Sequence, residues 1–498
     1  MNVNPITRLD YPDPDVIRVE DTYYMVSTTM HFMPGCEILQ SFDLVHWEHA
    51  TYVYETLDHT DAQQLKSGQN IYGQGMWAAS LRYHEGRFYI CFVANDTRKT
   101  YLYTSEKIDG PWKKQLIEGF YHDGSLLFDE DGRNYIVYGN DEIWITELNE
   151  DLTAPKKDGL HRLLVSDHKN PELGYEGSHI QKINGYYYIF LIHSLRDRWM
   201  RTEACFYSDS LEGEFTGGDV LCDDRGYCGQ GVAQGGIVDT PDGKWYAMLF
   251  QDSGAVGRIP ILVPVTWKDH FPFFGQNGHV PEEIEVHSTR PEYIYQPLVG
   301  SDDFCNGLLP RWQFNHDPDP RYYHLDALQG TYTITTREVC TELTQAVNTL
   351  TQRMSYPSCA AEVTVDASAL KEGDVAGLCA LQGCYAAVGI TKHHGKYEVL
   401  MLDKKEDGIL DMTERTVVES HQMDFRLEAD FCNMKDEARC YYRVNKGDWL
   451  PIGTVHKLYF KLDHFTGCRF GLFCYAAEET GGSACFRDFK YYDVDEIS

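Results

Sequence analysis

The feature that most constrains the fold is a short segment that occurs five times in the first half of the chain. Each copy has a turn with acidic or polar residues, usually a glycine, and then aromatic residues. The copies end at Tyr24, Tyr89, Tyr135, Tyr188 and Tyr246 (EDTYY, EGRFY, DGRNY, NGYYY and DGKWY). Their spacing of roughly 45 to 65 residues is typical of propeller blades. The sequence therefore predicts an all-β chain that begins with a five-bladed β-propeller, whereas a β-helix or a tandem sandwich would not give five such units.

The pattern changes after about residue 285. A Pro-containing connection without the repeat follows, and strand patterns such as TYTIT, AAEVTVDA and RFGLFCYA then continue along the chain. Alternating strand patterns over about 190 residues are typical of one β-sandwich domain. We therefore predict a propeller over residues 1–300 and a jelly-roll-like β-sandwich over residues 301–498.

The composition bears on the partners of the chain. Asp and Glu total 76 against 44 Lys and Arg, which gives a formal net charge of -32. Such a surface repels phosphate backbones and anionic membranes, so we expect a neutral small-molecule ligand and neither nucleic acid nor a membrane as partner. The 15 cysteines are scattered without CxxC pairs, and the first residues lack a signal-peptide pattern, so we expect free thiols and a cytoplasmic protein. The sequence leaves open whether the protein is a homo-oligomer.

The repeat also predicts which side chains meet at the centre. Residues eleven or twelve positions before the anchor tyrosines should occupy equivalent places in the five blades, and they ring one mouth of the channel if inner strands begin there. They are three carboxylates, an indole and an amide: Asp13, Trp77, Asp123, Glu176 and Gln234. Carboxylates gathered in one pocket repel each other, an arrangement that commonly serves an acid and a base. The alternative is that Asp and Glu simply suit turns before strands.

Two carboxyl groups beside an aromatic wall favour a sugar site. Glycoside hydrolysis needs one protonated carboxyl for the leaving oxygen and one carboxylate that activates water or attacks carbon. The ring of Trp77 offers an apolar face to the C–H side of a pyranose, although a tryptophan in the core is the other interpretation. A non-catalytic sugar-binding propeller is the alternative from a different class of protein.

Three segments resemble those of a known family. DYPDPDVIRV around Asp13, FYHDGSLLFDEDG around Asp123 and YEGSHIQKINGYYY around Glu176 resemble the catalytic segments of glycoside hydrolase family 43. The segment DDFCNGLLPRWQFNHDPDPRYYHL is similar to the start of the C-terminal domain in the β-xylosidase branch. The resemblance implies that Asp13 is the general base and Glu176 the general acid. It also implies that Asp123 orients Glu176 and favours its protonated form.

Other site residues follow from the resemblance alone. Arg258 matches an arginine that contacts the substrate near the base, and Trp77 and Phe32 match positions that line the sugar subsite. Gln234 stands where many relatives have a histidine that helps to hold a central calcium or an ordered water. Because glutamine is a poorer ligand, we expect no required cofactor and no metal, and a structural calcium is doubtful.

The resemblance implies an inverting exo-glycosidase that releases pentose from the non-reducing end of short xylo-oligosaccharides, which is a β-xylosidase. An α-L-arabinofuranosidase, or an enzyme with both activities, is the alternative because the two sugars present similar hydroxyl patterns. The exo mode is implied by the sandwich, which in this branch shortens the cleft to a pocket. A fructan-cleaving propeller fits less well, since its NDPNG start motif is replaced by YPDPDV.

Overall fold

The structure, a computed structural model, describes residues 2–493, with side chains from residue 4 onward. Strands dominate this range, and its helical elements are four three-residue 3-10 turns: Lys66–Gly68, Gly254–Val256, Leu343–Gln345 and Cys432–Met434. The prediction of an all-β chain is confirmed. Within the described range, no helix has the length and apolar character that crossing a membrane requires.

Five antiparallel sheets follow one another along the first part of the chain, and each is one blade of a propeller. From the channel outward, their strands are Asp15–Val19, Thr22–Ser27, Gly35–Ser41 and Glu48–Tyr54 in blade 1; Met76–His84, Arg87–Ala94, Lys99–Ser105 and Lys113–Ile117 in blade 2; Ser125–Phe128, Asn134–Asn140, Glu142–Leu148 and His161–Ser166 in blade 3; Glu176–Ile183, Tyr186–Ser194, Arg201–Ser208 and Thr216–Leu221 in blade 4; and Val232–Ala233 with Ile237–Asp239, then Trp245–Asp252, Arg258–Lys268 and Phe271–Phe274 in blade 5. Every anchor tyrosine lies in the second strand of its blade. The five-bladed propeller is therefore confirmed.

A buried ion pair in the channel links four of the blades. Arg82 of blade 2 donates a hydrogen bond to Asp15 Oδ2 of blade 1 at 2.7 Å. The same guanidinium donates to Ser125 Oγ of blade 3 at 2.7 Å and to the carbonyl of Ile180 of blade 4 at 3.1 Å. Nδ1 of His179 lies 3.0 Å from Asp15 Oδ1. Burial opposes the charge on Asp15, but Arg82 and His179 outweigh burial and lower the pKa of Asp15 to about 2.

The second part of the chain forms two packed antiparallel sheets, so the predicted β-sandwich is confirmed. One sheet contains, in spatial order, Leu410–Val418, Lys396–Lys404, Tyr385–His393, Val375–Leu381, Arg469–Tyr475, Leu350–Arg353, Gln313–Asn315 and Phe32–Met33. The other contains Tyr323–Asp326, Thr331–Thr335, Ser483–Asp493, Ser358–Asp366, Gln422–Asp430, Glu437–Arg443 and Leu450–Lys457. The predicted boundary at residue 300 lies in the connection between the last propeller strand, ending at Phe274, and Gln313. Near the start of the chain, Asn2–Val3 pairs with Glu283–Ile284 of that connection.

The two domains share a sheet and a buried ion pair. The strand Phe32–Met33 of the propeller pairs with Gln313–Asn315 and forms the edge of the eight-stranded sandwich sheet. Arg353 Nη1 of the sandwich lies 2.8 Å from Glu37 Oε2 of blade 1, and both side chains are buried. Removing either side chain would leave a buried charge unpaired, which is strongly destabilising, so both are needed where the two domains meet.

Candidate active site

A cavity of about 560 Å³ opens at the mouth of the channel where the propeller meets the sandwich. The side chains predicted from the repeat come from all five blades, and all of them line this cavity: Asp13, Trp77, Asp123, Glu176 and Gln234. Arg258, which the resemblance alone had suggested, lines it as well. The fold therefore brings together residues that lie far apart in the sequence.

Two backbone devices aim these side chains into the cavity. Asp13 and Asp123 lie just before their inner strands, and Gln234 lies between the two inner segments of blade 5; their φ angles are positive, at 52°, 48° and 60°. Residues other than glycine rarely adopt this conformation, which costs free energy and is common at functional sites. Trp77 and Glu176 instead lie beside β-bulges, which interrupt the pairing of the first two strands of blades 2 and 4. A bulge bends its strand and redirects the side chain next to it.

Both carboxylate oxygens of Asp13 accept hydrogen bonds. Arg258 Nη1 donates to Oδ1 at 2.8 Å, and Thr28 Oγ1 donates to Oδ2 at 2.6 Å. The side chains of Arg258 and Asp13 are only 3% and 8% exposed, so solvent screens their attraction little. Nε and Nη2 of Arg258 are also buried and have no hydrogen-bond partner among residues 2–493. Because buried donors need acceptors, these two atoms are suited to hydroxyl oxygens of a sugar in the cavity.

Asp123 is almost fully buried, and it contacts the inner strand of the next blade, blade 4. Its Oδ2 accepts a hydrogen bond from the backbone N–H of Gly177 at 3.0 Å. Burial raises the pKa of Asp123 to about 6, although His122 opposes this shift. The negative charges of Glu176 and Asp13 act in the same direction as burial. The carboxyl that the resemblance assigns to orientation is therefore easily protonated in the folded protein.

Glu176 is the first residue of the inner strand of blade 4, and its side chain is 19% exposed. Asn140 Nδ2 donates a hydrogen bond to its Oε2 at 2.8 Å. This carboxyl is therefore more accessible than those of Asp13 and Asp123, and its orientation is fixed from one side. An accessible, oriented carboxyl is suited to give a proton to an oxygen of a bound ligand.

His122 belongs to the site but is missing from the sequence prediction. Its Nε2 lies 3.5 Å from Asp123 Oδ2 and 3.6 Å from Glu176 Oε2. Burial opposes its protonation, but the charges of Asp123 and Glu176 outweigh burial and raise the pKa of His122 to about 9. The imidazole therefore carries a positive charge between two carboxyl groups at neutral pH. The one signal in the sequence was its place directly before Asp123.

A loop of the sandwich closes one side of the cavity. It contributes the side chains of Phe460, Lys461, Leu462 and Phe465. The ring of Phe465 lies 5.6 Å from that of Trp77, and the guanidinium of Arg258 stands 4.4 Å from its centroid. On the rim, Trp199 of the propeller and Leu462 are 44% and 68% exposed. Both domains therefore supply apolar surface to the same pocket.

The structure corrects the prediction for Phe32. Its side chain is fully buried and does not line the cavity. Phe32 pairs with Asn315 at the edge of the sandwich sheet, and the guanidinium of Arg469 lies 3.5 Å from its ring centroid. The strand pairing turns this residue into part of the domain interface, and Phe465 of the sandwich supplies an aromatic surface in the cavity instead.

One cluster in the described part of the chain contains at least three His, Cys, Asp or Glu side chains close enough to share a metal ion. It is formed by His122, Asp123 and Glu176, whose ligand atoms lie within 4.8 Å of one another. Gln234, where the resemblance places a central calcium, is not part of it and offers one amide oxygen. Ca²⁺ takes about six to eight oxygen ligands, waters among them, and Gln234 would supply one of these.

Known proteins are similar to this chain over nearly its whole length. A β-xylosidase of Formosa agariphila is 27% identical, over 99% of this chain and 89% of that protein. A xylosidase/arabinosidase 43B of Humicola insolens is 25% identical, over 98% of this chain and 96% of that protein. A solved structure described as bifunctional GH43-CE from Bacteroides eggerthii has a TM-score of 0.92 and 42% identity over 99% of this chain, which spans 64% of that structure's length.

Two families account for nearly all of the sequence. Residues 301–492 match the family described as "Beta xylosidase C-terminal Concanavalin A-like domain", which agrees with the observed sandwich. Residues 3–272, more than half of the chain and nearly all of the propeller, match "Glycosyl hydrolases family 43". The chain, with three carboxyl groups at the mouth of its five-bladed propeller, therefore belongs to glycoside hydrolase family 43.

Proposed function

We propose that this glycoside hydrolase is an inverting exo-enzyme that releases xylose from the non-reducing end of short xylo-oligosaccharides. The observation that carries the proposal is the loop of the sandwich over the carboxyl groups. Phe465 and Leu462 close one side of a cavity that would be an open cleft on a propeller alone. A closed side admits the end of a chain and excludes its middle.

The division of labour follows from how each carboxyl group is held. Asp13 accepts hydrogen bonds on both oxygens and acts as general base, taking a proton from the water that attacks the anomeric carbon. The accessible Glu176 acts as general acid and gives its proton to the glycosidic oxygen as the C–O bond breaks. Asp123 holds the start of the strand that carries Glu176 through its hydrogen bond to Gly177. The attack occurs from the face opposite the leaving group, so the anomeric configuration inverts.

An α-L-arabinofuranosidase activity, alone or beside β-xylosidase activity, is the second candidate. The names of the relatives support it, because the Humicola insolens protein is called a xylosidase/arabinosidase. The free donors of Arg258 serve both substrates, since xylopyranosides and arabinofuranosides present similar hydroxyl groups to this position. A non-catalytic sugar-binding propeller is less consistent with three carboxyl groups in one cavity.

The proposal includes a neutral substrate, no required metal and a cytoplasmic location. A net charge of -32 favours an uncharged oligosaccharide over anionic ligands. All 15 cysteines are free thiols, which is typical of proteins in a reducing compartment. The single amide at Gln234 supports activity without calcium.

The test is a panel of nitrophenyl glycosides followed by xylo-oligosaccharides, with the purified full chain. We expect hydrolysis of β-D-xylopyranoside or α-L-arabinofuranoside and no hydrolysis of hexosides. From xylotetraose, single xylose units should appear together with xylotriose from the earliest times. A mixture dominated by xylobiose would indicate cleavage inside the chain and would contradict the exo mode, and no hydrolysis at all would favour the binding protein.

A further inference from the structure

The geometry points to a zinc-type divalent cation site formed by His122, Asp123 and Glu176, whose occupation would switch off the proton donor. Nε2 of His122 lies 3.5 Å from Asp123 Oδ2 and 3.6 Å from Glu176 Oε2. Zinc binds nitrogen and oxygen at about 2.0–2.2 Å in a tetrahedron, so neighbouring ligand atoms stand about 3.4 Å apart. The two measured distances match this edge length, with the open side of the cavity left for water as a fourth ligand.

The ligand atoms are already oriented by other groups. The N–H of Gly177 holds Asp123 Oδ2 at 3.0 Å, and Asn140 Nδ2 holds Glu176 Oε2 at 2.8 Å. Hydrogen bonds from neighbouring groups to metal ligands normally orient these ligands and raise the affinity for the metal. Nε2 of His122 is shielded from solvent and makes no hydrogen bond within the described part of the chain. Zinc binds the lone pair of this nitrogen, so the proton that His122 carries at neutral pH leaves to solvent when the metal binds.

The charges that face the cluster leave room for a cation. Arg258 is paired with Asp13 at 2.8 Å, and Arg201 is paired with Asp252 at 2.7 Å. Each guanidinium thus has a carboxylate of its own, and the proton on His122, which balances Asp123 and Glu176 in the empty site, is the charge that zinc would replace. One imidazole nitrogen and two carboxylate oxygens suit zinc, whereas Ca²⁺ and Mg²⁺ prefer oxygen ligands alone.

Occupation of this site has a direct consequence for hydrolysis. A cation on Glu176 Oε2 opposes protonation of that carboxyl, so the leaving oxygen would receive no proton. The metal also occupies the space in which the glycosidic oxygen must lie, which makes inhibition competitive with substrate. This site is distinct from the position of Gln234, and zinc binding does not depend on which glycoside the enzyme hydrolyses.

Calorimetric titration of the full, chelator-treated protein with Zn²⁺ tests the proposal without an activity assay. We expect one zinc per chain, and no comparable binding of Ca²⁺. His122→Phe removes one ligand and should weaken zinc binding at least about 100-fold, since even outer partners contribute 10–100-fold. The matched control is His287→Asn, because His287 is an exposed histidine near Asp242 and Glu285 at 3.5 and 3.6 Å. This control should bind zinc as the unaltered protein does.

A crystal of the unaltered protein soaked in Zn²⁺ provides a measurement that does not rely on any variant being folded. We expect an anomalous peak within about 2.3 Å of His122 Nε2 and of the nearest oxygens of Asp123 and Glu176. A peak elsewhere alone, an empty cavity, or unchanged affinity in His122→Phe would overturn the site. Each of these results would leave the hydrolytic function standing, whereas failure of the glycoside panel would leave the metal site standing.

Discussion

Replacing Asp123 by asparagine should stabilise the folded protein at neutral pH while it impairs catalysis. Burial, together with the charges of Glu176 and Asp13, raises the pKa of Asp123 from its usual 3.8 to about 6. Between these two values the folded chain binds more protons than the unfolded chain, so stability falls as the pH rises through this interval. At about 1.4 kcal/mol for each tenfold change, the ionised carboxylate costs the fold about 3 kcal/mol above pH 6.

Asparagine removes this cost, but it also removes one of the charges that raise the pKa of His122, so the gain in stability has the full cost as its upper limit. The asparagine side chain has the same shape, and its oxygen can accept the hydrogen bond that Gly177 donates at 3.0 Å. Asparagine also tolerates the φ of 48° at this position better than most residues do. We therefore expect Asp123→Asn to raise the free energy of unfolding by up to about 3 kcal/mol at about pH 7.5, and to change it little at about pH 3, where Asp123 is mostly protonated in both states.

The matched control is Asp15→Asn, because Asp15 is a buried aspartate of the same channel with the opposite shift. Arg82 and His179 outweigh its burial and lower its pKa to about 2. The ionised form therefore stabilises the fold by about 2 kcal/mol above pH 4, and that stability is lost as the pH falls toward 2. Asp15→Asn should lower the stability at about pH 7.5. Chemical denaturation at both pH values measures the free energy of unfolding of the unaltered protein and of the two variants. If Asp123→Asn destabilised the fold at about pH 7.5, or shifted stability equally at both pH values, the account of this carboxyl would be refuted.

Three further predictions concern activity. Glu176→Gln should lose about 10²–10⁴-fold in kcat on xylobiose, whose leaving group needs a proton, and far less on a nitrophenyl glycoside; equal losses on both would contradict the acid role. Phe465→Ala removes the ring that faces Arg258, a contact that contributes up to about 2 kcal/mol, so kcat/KM on xylobiose should fall by up to about 30-fold with the propeller intact. Dialysis against EDTA should leave activity undiminished. A loss of activity that calcium restores would contradict the prediction that no calcium is needed at the position of Gln234.

Much of the fold and part of the site follow from local sequence pattern. The repeated hairpin is a local feature, so five blades could be counted from it, and equivalent registers in the blades converge because the blades surround one axis. The shared register predicts Asp13, Asp123 and Glu176 without the family resemblance. A preference of Asp and Glu for turns could explain one such carboxyl group, but it explains three at equivalent positions less well.

The remaining site residues depend on contacts that no local pattern shows. Phe465 enters the cavity from a loop of the sandwich, and only the docking of the two domains brings it beside Arg258. The same docking removes Phe32 from the cavity, since pairing with Asn315 turns its strand into a sheet edge. His122 occupies no predicted register, and its role appears only when its distances to the neighbouring carboxyl groups are known.

The central claim is that Asp13 activates water and does not attack the sugar itself. In inverting enzymes the two carboxyl groups leave room for that water at about 6.5–9.5 Å, whereas a nucleophile stands about 5–5.5 Å from the acid. Proton NMR during the first turnovers on a β-xyloside measures the outcome directly. The account predicts that α-xylose appears first and that Asp13→Asn abolishes its release from activated and unactivated substrates alike. β-Xylose as the first product, or a glycosyl group trapped on Asp13, would contradict it.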